Sequence, residues 1–503
     1  MNKKKLILLP TAVFLFFLFF YFLFSKSIGD SNSFTTIKKL IPQDAKNILR
    51  KTLYPHREKD IKIQVLEKEN AYLFNEIKNL TRIENEWIEE SIGNFNKQKF
   101  KIVSNKLPYT ELIFENSENR FSSGNKNKNN YADKDNLVNE PIYAQVSDQF
   151  IIDDFYLPLV KRGNQSEKPL GYIDTYDEKI LFLSGNSRYI YLINFDNGLE
   201  IEYLQSNLHQ IISGFKNFIP SKFGVKDILV KNDILYVSYT NELIDNCYNL
   251  NIAFAELGTP KLNFENLNFS NNDLCILESD RFNPHAGGGR IISYEKDSLI
   301  LSYGSFSNFE KLFDDIGYFG KNIIINLNTL ATKVISKGHR NVQGLYYDNN
   351  ERIILSSEHG PKGGDEVNII KLNNKILNYG WPYASYGEHY NEESKKLAPL
   401  KKTHSEFGYE EPHIYFTPSI GISEIDKCDK EFSNICNQYS YITGSMGNNS
   451  FEGDMSIFFF NKTNKDIVQL PINKRIRDMV YYKKYLVVLS ENIPAISLIS
   501  SVE

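Results

Sequence analysis

The sequence predicts an all-β chain, a six-bladed β-propeller, preceded by an N-terminal transmembrane helix and a helical or irregular N-terminal segment. Three observations predict it. From about residue 142, short β-branched and aromatic runs alternate with Gly, Asn and Asp turns, the signature of strands joined by tight connections. These runs group into roughly six units, about 171–205, 224–270, 285–337, 341–395, 419–470 and 476–501. Several short strands per unit, repeated at this length, mark propeller blades. Composition agrees: 31 Tyr and 35 Phe favour pleated surfaces, and 41 % hydrophobic residues fill a sizeable core. A pair of β-sandwiches is the rival arrangement. Nothing in the chain alternates strands with long helices.

Taken in order, the chain divides into three regions. Residues 1–30 read as a membrane anchor or signal segment. Lys3, Lys4 and Lys5 precede an uncharged, mostly apolar run from Leu6 to Phe24, whose 19 residues suffice for a bilayer-spanning helix. The lysines belong on the cytoplasmic side, so the rest of the chain is expected to face the periplasm or the exterior, inner-membrane anchored or exported. Ser25 to Gly29 make a poor cleavage site, which favours an uncleaved anchor over a removed signal peptide.

Residues 31–140 read as a helical stalk or small region with a disordered linker. Leu66, Leu73, Ile77 and Leu80 recur at helical steps among charges, and Pro55 divides the pattern in two. Two strand-like runs follow, Lys99–Val103 and Glu111–Glu115. Asn116 to Asn139 is rich in Asn, Lys, Ser and Asp and poor in apolar residues, the composition of a linker or long loop.

Residues 141–503 hold the propeller. Its strand candidates include Lys179–Leu183, Tyr189–Ile193, Ile234–Ser238, Ser298–Tyr303, Ile323–Leu327, Arg352–Ser356, Tyr439–Thr443, Met455–Phe460 and Tyr485–Leu489. Four cysteines in an exported chain point to disulfides, most simply Cys247–Cys275 and Cys428–Cys436. With no Cys-x-x-Cys spacing, zinc and redox roles fall away. A formal net charge of -4 argues against a nucleic-acid partner.

Function is concentrated between His285 and Tyr386. The first cluster is His285-Ala286-Gly287-Gly288-Gly289-Arg290. The second is Gly338-His339-Arg340-Asn341-Val342-Gln343-Gly344. The third runs from Ser357-Glu358-His359-Gly360-Pro361 through Asp365-Glu366-Val367-Asn368 to Asn378-Tyr379-Gly380-Trp381-Pro382. Histidines beside glycines between apolar runs are the loops at strand ends where functional groups are displayed.

In order and near spacing, these clusters resemble the soluble quinoprotein glucose dehydrogenase / sorbosone dehydrogenase family, six-bladed propellers that bind pyrroloquinoline quinone (PQQ) and calcium and oxidise sugars. The resemblance covers about 285–500 well, 142–284 by architecture, and not 1–140. It implies that His285 is the base that takes the hydroxyl proton, a task suited to a side chain that titrates near neutrality. It implies that Arg340 stabilises negative charge growing on the quinone oxygen, and that Asn341 hydrogen-bonds the cofactor. The carbonyls of Gly360 and Pro361 would bind calcium, which prefers oxygen ligands. Asp365 and Glu366 are expected to support that loop or a further calcium ion. Arg475-Ile476-Arg477-Asp478 resembles the last blade's Arg-x-Arg-Asp segment; strand alternation places Arg475 and Arg477 on one face, suited to a cofactor with three carboxylates. Ser419 stands where a hydroxyl meets the cofactor.

Three positions depart from the pattern. Ser305 stands where an aspartate usually orients the histidine, with Asp314 or Asp315 as substitutes. Ser445-Met446-Gly447 stands where Ser-Leu-Lys is usual, and Val342 replaces a proline. The expected function is PQQ-dependent oxidation of a sugar or related alcohol by a membrane-anchored periplasmic protein, passing electrons to an unidentified acceptor, since no Cys-x-x-Cys-His haem motif occurs. The alternative is a non-catalytic, calcium-stabilised propeller that binds carbohydrate or protein; a metal-dependent lactone hydrolase is a third reading that lacks a convincing ligand set.

Overall fold

The computed structural model describes residues 143–156 and 171–502, apart from 197–199, 215–217, 270–273, 314–316, 374, 448–453, 464–465 and 492–494, together with the short strands Lys101–Ile102 and Glu115–Asn116. Among the described residues no helix is long and apolar enough to cross a membrane. The expected membrane run Leu6–Phe24 and the helical pattern around Leu66 to Leu80 lie outside them, as do Asp314 and Asp315.

Six antiparallel sheets follow one another along the chain, and each is a blade. Blade 1 is Gly171–Tyr176, Lys179–Ser184, Ile190–Asn194 and Glu200–Tyr203. Blade 2 begins with Val225–Lys231, Ile234–Ile244 and Cys247–Glu256. Blade 3 is Gly288–Tyr294, Ser298–Tyr303, Lys321–Asn326 and Thr332–Lys337. Blade 4 is Val342–Asp348, Ile353–Glu358, Asp365–Lys371 and Ile414–Phe416. Blade 5 is Ile422–Lys427, Tyr441–Ser445, Ser456–Phe460 and Ile467–Pro471. Blade 6 takes Ile476–Tyr482, Tyr485–Ser490 and Ala495–Ser501 from the end of the chain and Phe150–Tyr156 from before blade 1. That last strand pairs antiparallel with Ala495–Ser501, from Ala495↔Tyr156 to Ser501↔Phe150. The ring is thus closed by hydrogen bonds between distant parts of the chain, which leaves no blade with a missing neighbour.

Strand alternation builds the core. In Tyr485–Ser490, Leu486 and Val488 pack toward blade 5, while Val487 and Leu489 pack toward blade 1. In Ser298–Tyr303, Leu299, Leu301 and Tyr303 face blade 2 and Ile300 faces blade 4. Every pair of adjacent blades shares one such apolar cluster. Each fully buried Leu, Ile or Phe in them contributes about 1.5–3 kcal/mol. Both expected disulfides are present, Cys247–Cys275 and Cys428–Cys436.

The inner strands of blades 2 to 6 share one irregularity. Each slips register near its start, between Val225 and Asp227, Gly288 and Ile291, Val342 and Gly344, Ile422 and Ile425, and Ile476 and Asp478. A bulge turns its extra residue out of the ladder and re-aims its side chain. The residues so released are Lys226, Gly289 with Arg290, Gln343, Ser423 with Glu424, and Arg477.

Arg290 and Glu424 form the hub of the ring. The Arg290 guanidinium is buried and pairs through Nη1 with Asp227 at 3.0 Å, Glu424 at 2.6 Å and Asp478 at 2.9 Å. Its Nη2 donates to the Arg477 carbonyl at 3.0 Å, and its plane lies 5.1 Å from the Tyr172 ring. One side chain therefore ties together blades 2, 3, 5 and 6 and touches blade 1. Burial pushes Asp227 up to about 7 and Glu424 well above the carboxylate range, against the pull of Arg290.

Candidate active site

His285 sits in a single 3-10 turn, Pro284–Ala286, immediately before the inner strand of blade 3. Asn283 caps the turn by accepting from the His285 backbone N–H at 3.0 Å. Gly288 and Gly289 follow with φ of 63° and 104°, a path that side-chain-bearing residues rarely take, so the loop needs glycine there. The imidazole is exposed at the surface of the turn. Partial burial and the charges of Lys226 and Lys222 hold its pKa below the ordinary value.

A hydrogen-bonded chain then crosses three blades. Asn341 Nδ2 donates to the His285 carbonyl at 3.1 Å, and its Oδ1 accepts from Gly288 N at 3.1 Å. Gln343 Nε2 donates to that same Oδ1 at 3.1 Å, and Gln343 Oε1 accepts from Arg477 Nη1 at 3.3 Å. Arg477 Nε is fixed by Glu491 at 2.6 Å. Asn341 thus braces the His285 loop, and Gln343, which carried no expected role, links it to Arg477.

Arg340 is held from below. Glu358 accepts from the Arg340 backbone N–H at 2.8 Å through Oε2 and contacts His339 Nδ1 at 3.0 Å through Oε1. His339 is wholly buried; its Nε2 meets Ser336 Oγ at 2.8 Å and Asn322 Nδ2 at 3.1 Å. Asn368 Nδ2 completes the set on Glu358 Oε1 at 2.7 Å. Burial alone would raise Glu358, but His339 and these donors outweigh it and hold the carboxyl below its usual range. The Arg340 guanidinium gives Nη1 to the His359 carbonyl at 2.9 Å and lies 5.3 Å from the Trp381 ring. Among the described residues, Nη2 of Arg340 and of Arg477 makes no hydrogen bond, so each offers a free donor edge.

The Gly360–Asp365 loop is equally determined. A side chain on Gly360 would overlap the Gly364 carbonyl, so the close turn requires glycine. Asp365 accepts from Gly360 N at 3.2 Å and from Ile420 N and Ile422 N at 3.1 and 3.0 Å, which makes it the loop's support. Gly364 N donates to the Pro361 carbonyl at 3.1 Å. Ser419 Oγ accepts from Gly363 N and Gly364 N, both at 3.1 Å, and so fastens this loop to the start of blade 5. Glu366 is buried, and its pKa is driven well above the carboxylate range by burial and by Glu358 beside it.

Arg475 and Arg477 do not form a parallel pair. The strand begins at Ile476 with a register slip before Asp478, and the two side chains take different hydrogen-bond partners. Arg475 Nη1 donates to the carbonyls of Met446 and Gly447 at 2.7 and 3.0 Å. It therefore lies over the segment where a lysine is missing. Ser305 is buried, donates its backbone N–H to the Arg340 carbonyl at 2.8 Å and accepts from Ser307 N at 3.3 Å. It links the His285 region to Arg340 without supplying charge. Sequence reasoning missed Lys226, Gln343 and Glu491. Of these, Gln343 lay in a motif cluster, as did the supporting residues His339, Glu358, Asp365 and Asn368, whereas Lys226 and Glu491 lay in none.

The inner-strand starts of a closed six-bladed ring thus bring Lys226, the exposed His285, Asn341, Gln343 and Arg477 into one linked set. Against known proteins, the model of the Glucose / Sorbosone dehydrogenase family matches residues 200–492, more than half of the chain, and the chain belongs to that family. It is 35 % identical over 149 residues to an aldose sugar dehydrogenase of Escherichia coli (strain K12), covering 27 % of this chain and 38 % of that protein. It is 35 % identical over 104 residues to quinoprotein glucose dehydrogenase B of Acinetobacter calcoaceticus, covering 16 % and 21 %. The aligned segments thus span well under two thirds of those relatives. The soluble aldose sugar dehydrogenase from Escherichia coli in its apo-form superposes with a TM-score of 0.53 at 18 % identity, over 70 % of this chain and 100 % of that one. A glucose dehydrogenase superposes with a TM-score of 0.52 at 19 % identity, over 66 % and 96 %. At such identities these structures establish the fold.

Proposed function

We propose that this chain is a PQQ-dependent dehydrogenase that oxidises a sugar or a related alcohol. The observation that carries the reading is the hydrogen-bonded chain from Arg477 through Gln343 and Asn341 to the His285 loop, which ties the candidate base to a cation across three blades.

The residues present suit the cofactor. Arg340 and Arg477 offer free donor edges to carboxylates, and Arg475 adds positive charge nearby. A bound quinone would supply the acceptor for the hydride that leaves the substrate carbon. His285 takes the hydroxyl proton on its unprotonated ring nitrogen. Arg340, stacked on Trp381 and pinned by Glu358, stabilises negative charge at the neighbouring oxygen. Asn341 and Ser419 act as the frame of the site, through the His285 loop and the Gly360 loop. The carbonyls of Gly360 and Pro361 are oxygen donors of the kind calcium takes, and the loop's glycines allow the close approach. Among the described residues no cluster of His, Cys, Asp and Glu competes as a metal site.

The two disulfides support an oxidising compartment, the periplasm or exterior, with Leu6–Phe24 as inner-membrane anchor. The absence of charge at Ser305 favours the alternative of a non-catalytic binding propeller. Turnover decides between them. With PQQ and calcium supplied, a panel of aldoses and polyols should reduce an artificial electron-acceptor dye, and His285→Ala should abolish turnover while cofactor binding persists. Binding of a sugar with no dye reduction by any member of the panel would select the binding module.

A further inference from the structure

We infer that Lys226 is a positioning residue of this site, whose ammonium anchors the loop carrying His285 and, in mildly acidic medium, sets a positive charge near that imidazole. The inference rests on the reading of His285 as the base.

Lys226 is the bulged residue of blade 2, the position that Gln343 takes on blade 4 and Arg477 on blade 6. The bulge turns it toward the site rather than into the ladder. Its stem lies against Gly289, where any β-carbon would collide with the lysine's own, so the glycine admits this approach. Its Nζ donates to the Pro284 carbonyl at 3.2 Å and to the Lys222 carbonyl at 2.9 Å. Pro284 is the residue before His285, so the ammonium staples the catalytic turn to the short helix Pro220–Phe223 and to blade 2.

Charged groups reach His285 from two packed elements, Lys226 on the inner strand of blade 2 and Lys222 on the short helix, and Arg477 of blade 6 lies beyond Lys226. No carboxylate among the described residues acts on the ring. Ser305, the candidate for that part, spends its polar groups on Arg340 and Ser307. Burial, with Arg477 nearby, lowers Lys226 to about 7, so the ammonium carries its charge in mildly acidic medium. The consequence is a base that stays unprotonated in mildly acidic medium. Once it has taken a proton, it is pressed to release it to solvent, which its exposed ring allows.

The test is a histidine titration by NMR on the full chain labelled with 13C at the imidazoles, the His285 signal being assigned by its loss in His285→Gln. We expect a wild-type midpoint below the ordinary value of about 6.5. Lys226→Gln, which keeps a donor and removes the charge, should raise it by about half a unit or more, and Lys226→Arg should leave it low. An unchanged midpoint in folded Lys226→Gln overturns the inference. Should that variant fail to fold, a wild-type midpoint at or above the ordinary value overturns it equally. The titration needs neither cofactor nor sugar, so a failure of the dehydrogenase reading leaves its result legible. Where turnover is measured, the acid limb of kcat/KM should move to higher pH in Lys226→Gln and return in Lys226→Arg.

Discussion

Replacing Arg290 with methionine should be the most damaging single substitution in the hub. The stem is nearly the same length, so little cavity opens and the effect is electrostatic. Wild-type Arg290 contacts Asp227, Glu424 and Asp478 at 2.6–3.0 Å, with its side chain only 3 % exposed. Removing one partner from a buried ionic network costs about 3–5 kcal/mol. The cost should depend on pH. Asp227 and Glu424 already titrate above the ordinary carboxylate range, and losing the guanidinium drives both higher. An acid whose folded pKa exceeds its unfolded value near 4 keeps a proton that the unfolded chain has lost. Stability therefore falls as pH rises from the unfolded value to the folded one. Arg290→Met should then lose more at pH 8.5 than at pH 5.5, by about 1.4 kcal/mol for each unit added to one carboxyl. Denaturant unfolding followed by circular dichroism at the two pH values, disulfides intact, measures it. A variant within about 0.5 kcal/mol of wild type at both pH values would refute the claim that one guanidinium holds the hub.

Three further outcomes are expected. Glu358→Gln releases the Arg340 backbone and His339 while keeping a polar side chain, so kcat should fall about 10- to 100-fold with KM less affected, and equal changes in both would contradict it. Asp174 is pushed up to about 7 by burial, so wild-type stability should decline between pH 4 and pH 7 on its account, and Asp174→Asn should flatten that slope as read by thermal melts. The Cys247–Cys275 bond closes a separation of 28 residues and Cys428–Cys436 one of 8. Their removal as paired serines should therefore cost about 3.5 and about 2.5 kcal/mol, in that order, on the loop-entropy argument.

The propeller was legible because each blade repeats the same physics. Alternating apolar runs bounded by turns marked blades 1, 2, 3 and 5 to within a few residues, and Ser298–Tyr303 matches the observed strand at both ends, but the fourth unit, 341–395, stopped short of that blade's outer strand Ile414–Phe416. The closing strand Phe150–Tyr156 was not among the strand candidates, since Asp153 and Asp154 interrupt its apolar pattern and its partner lies at the other end of the chain. Asp154 is there for a local reason: it accepts from Ser497 Oγ at 2.6 Å and pairs with Lys474 at 2.5 Å. The site divides similarly. Clusters such as His339 to Gln343 stood out as motifs, but the partner each residue chose depended on the bulges. A register slip leaves no trace in period-2 patterning, so nothing in the sequence separated Arg475, turned onto Met446 and Gly447, from Arg477, turned onto Glu491. Lys226 lay in an apolar strand with no motif around it. Its role appears only when the bulge brings it over Gly289.

The most direct test of the account is PQQ binding to the purified full chain with calcium present, followed by the cofactor's absorbance. The account predicts saturable binding that weakens when calcium is chelated and is lost in Arg340→Ala. It also predicts that the bound cofactor is reduced on addition of sugar in wild type and not in His285→Ala. No binding at micromolar PQQ by a folded protein would contradict it and leave this propeller as a binding module.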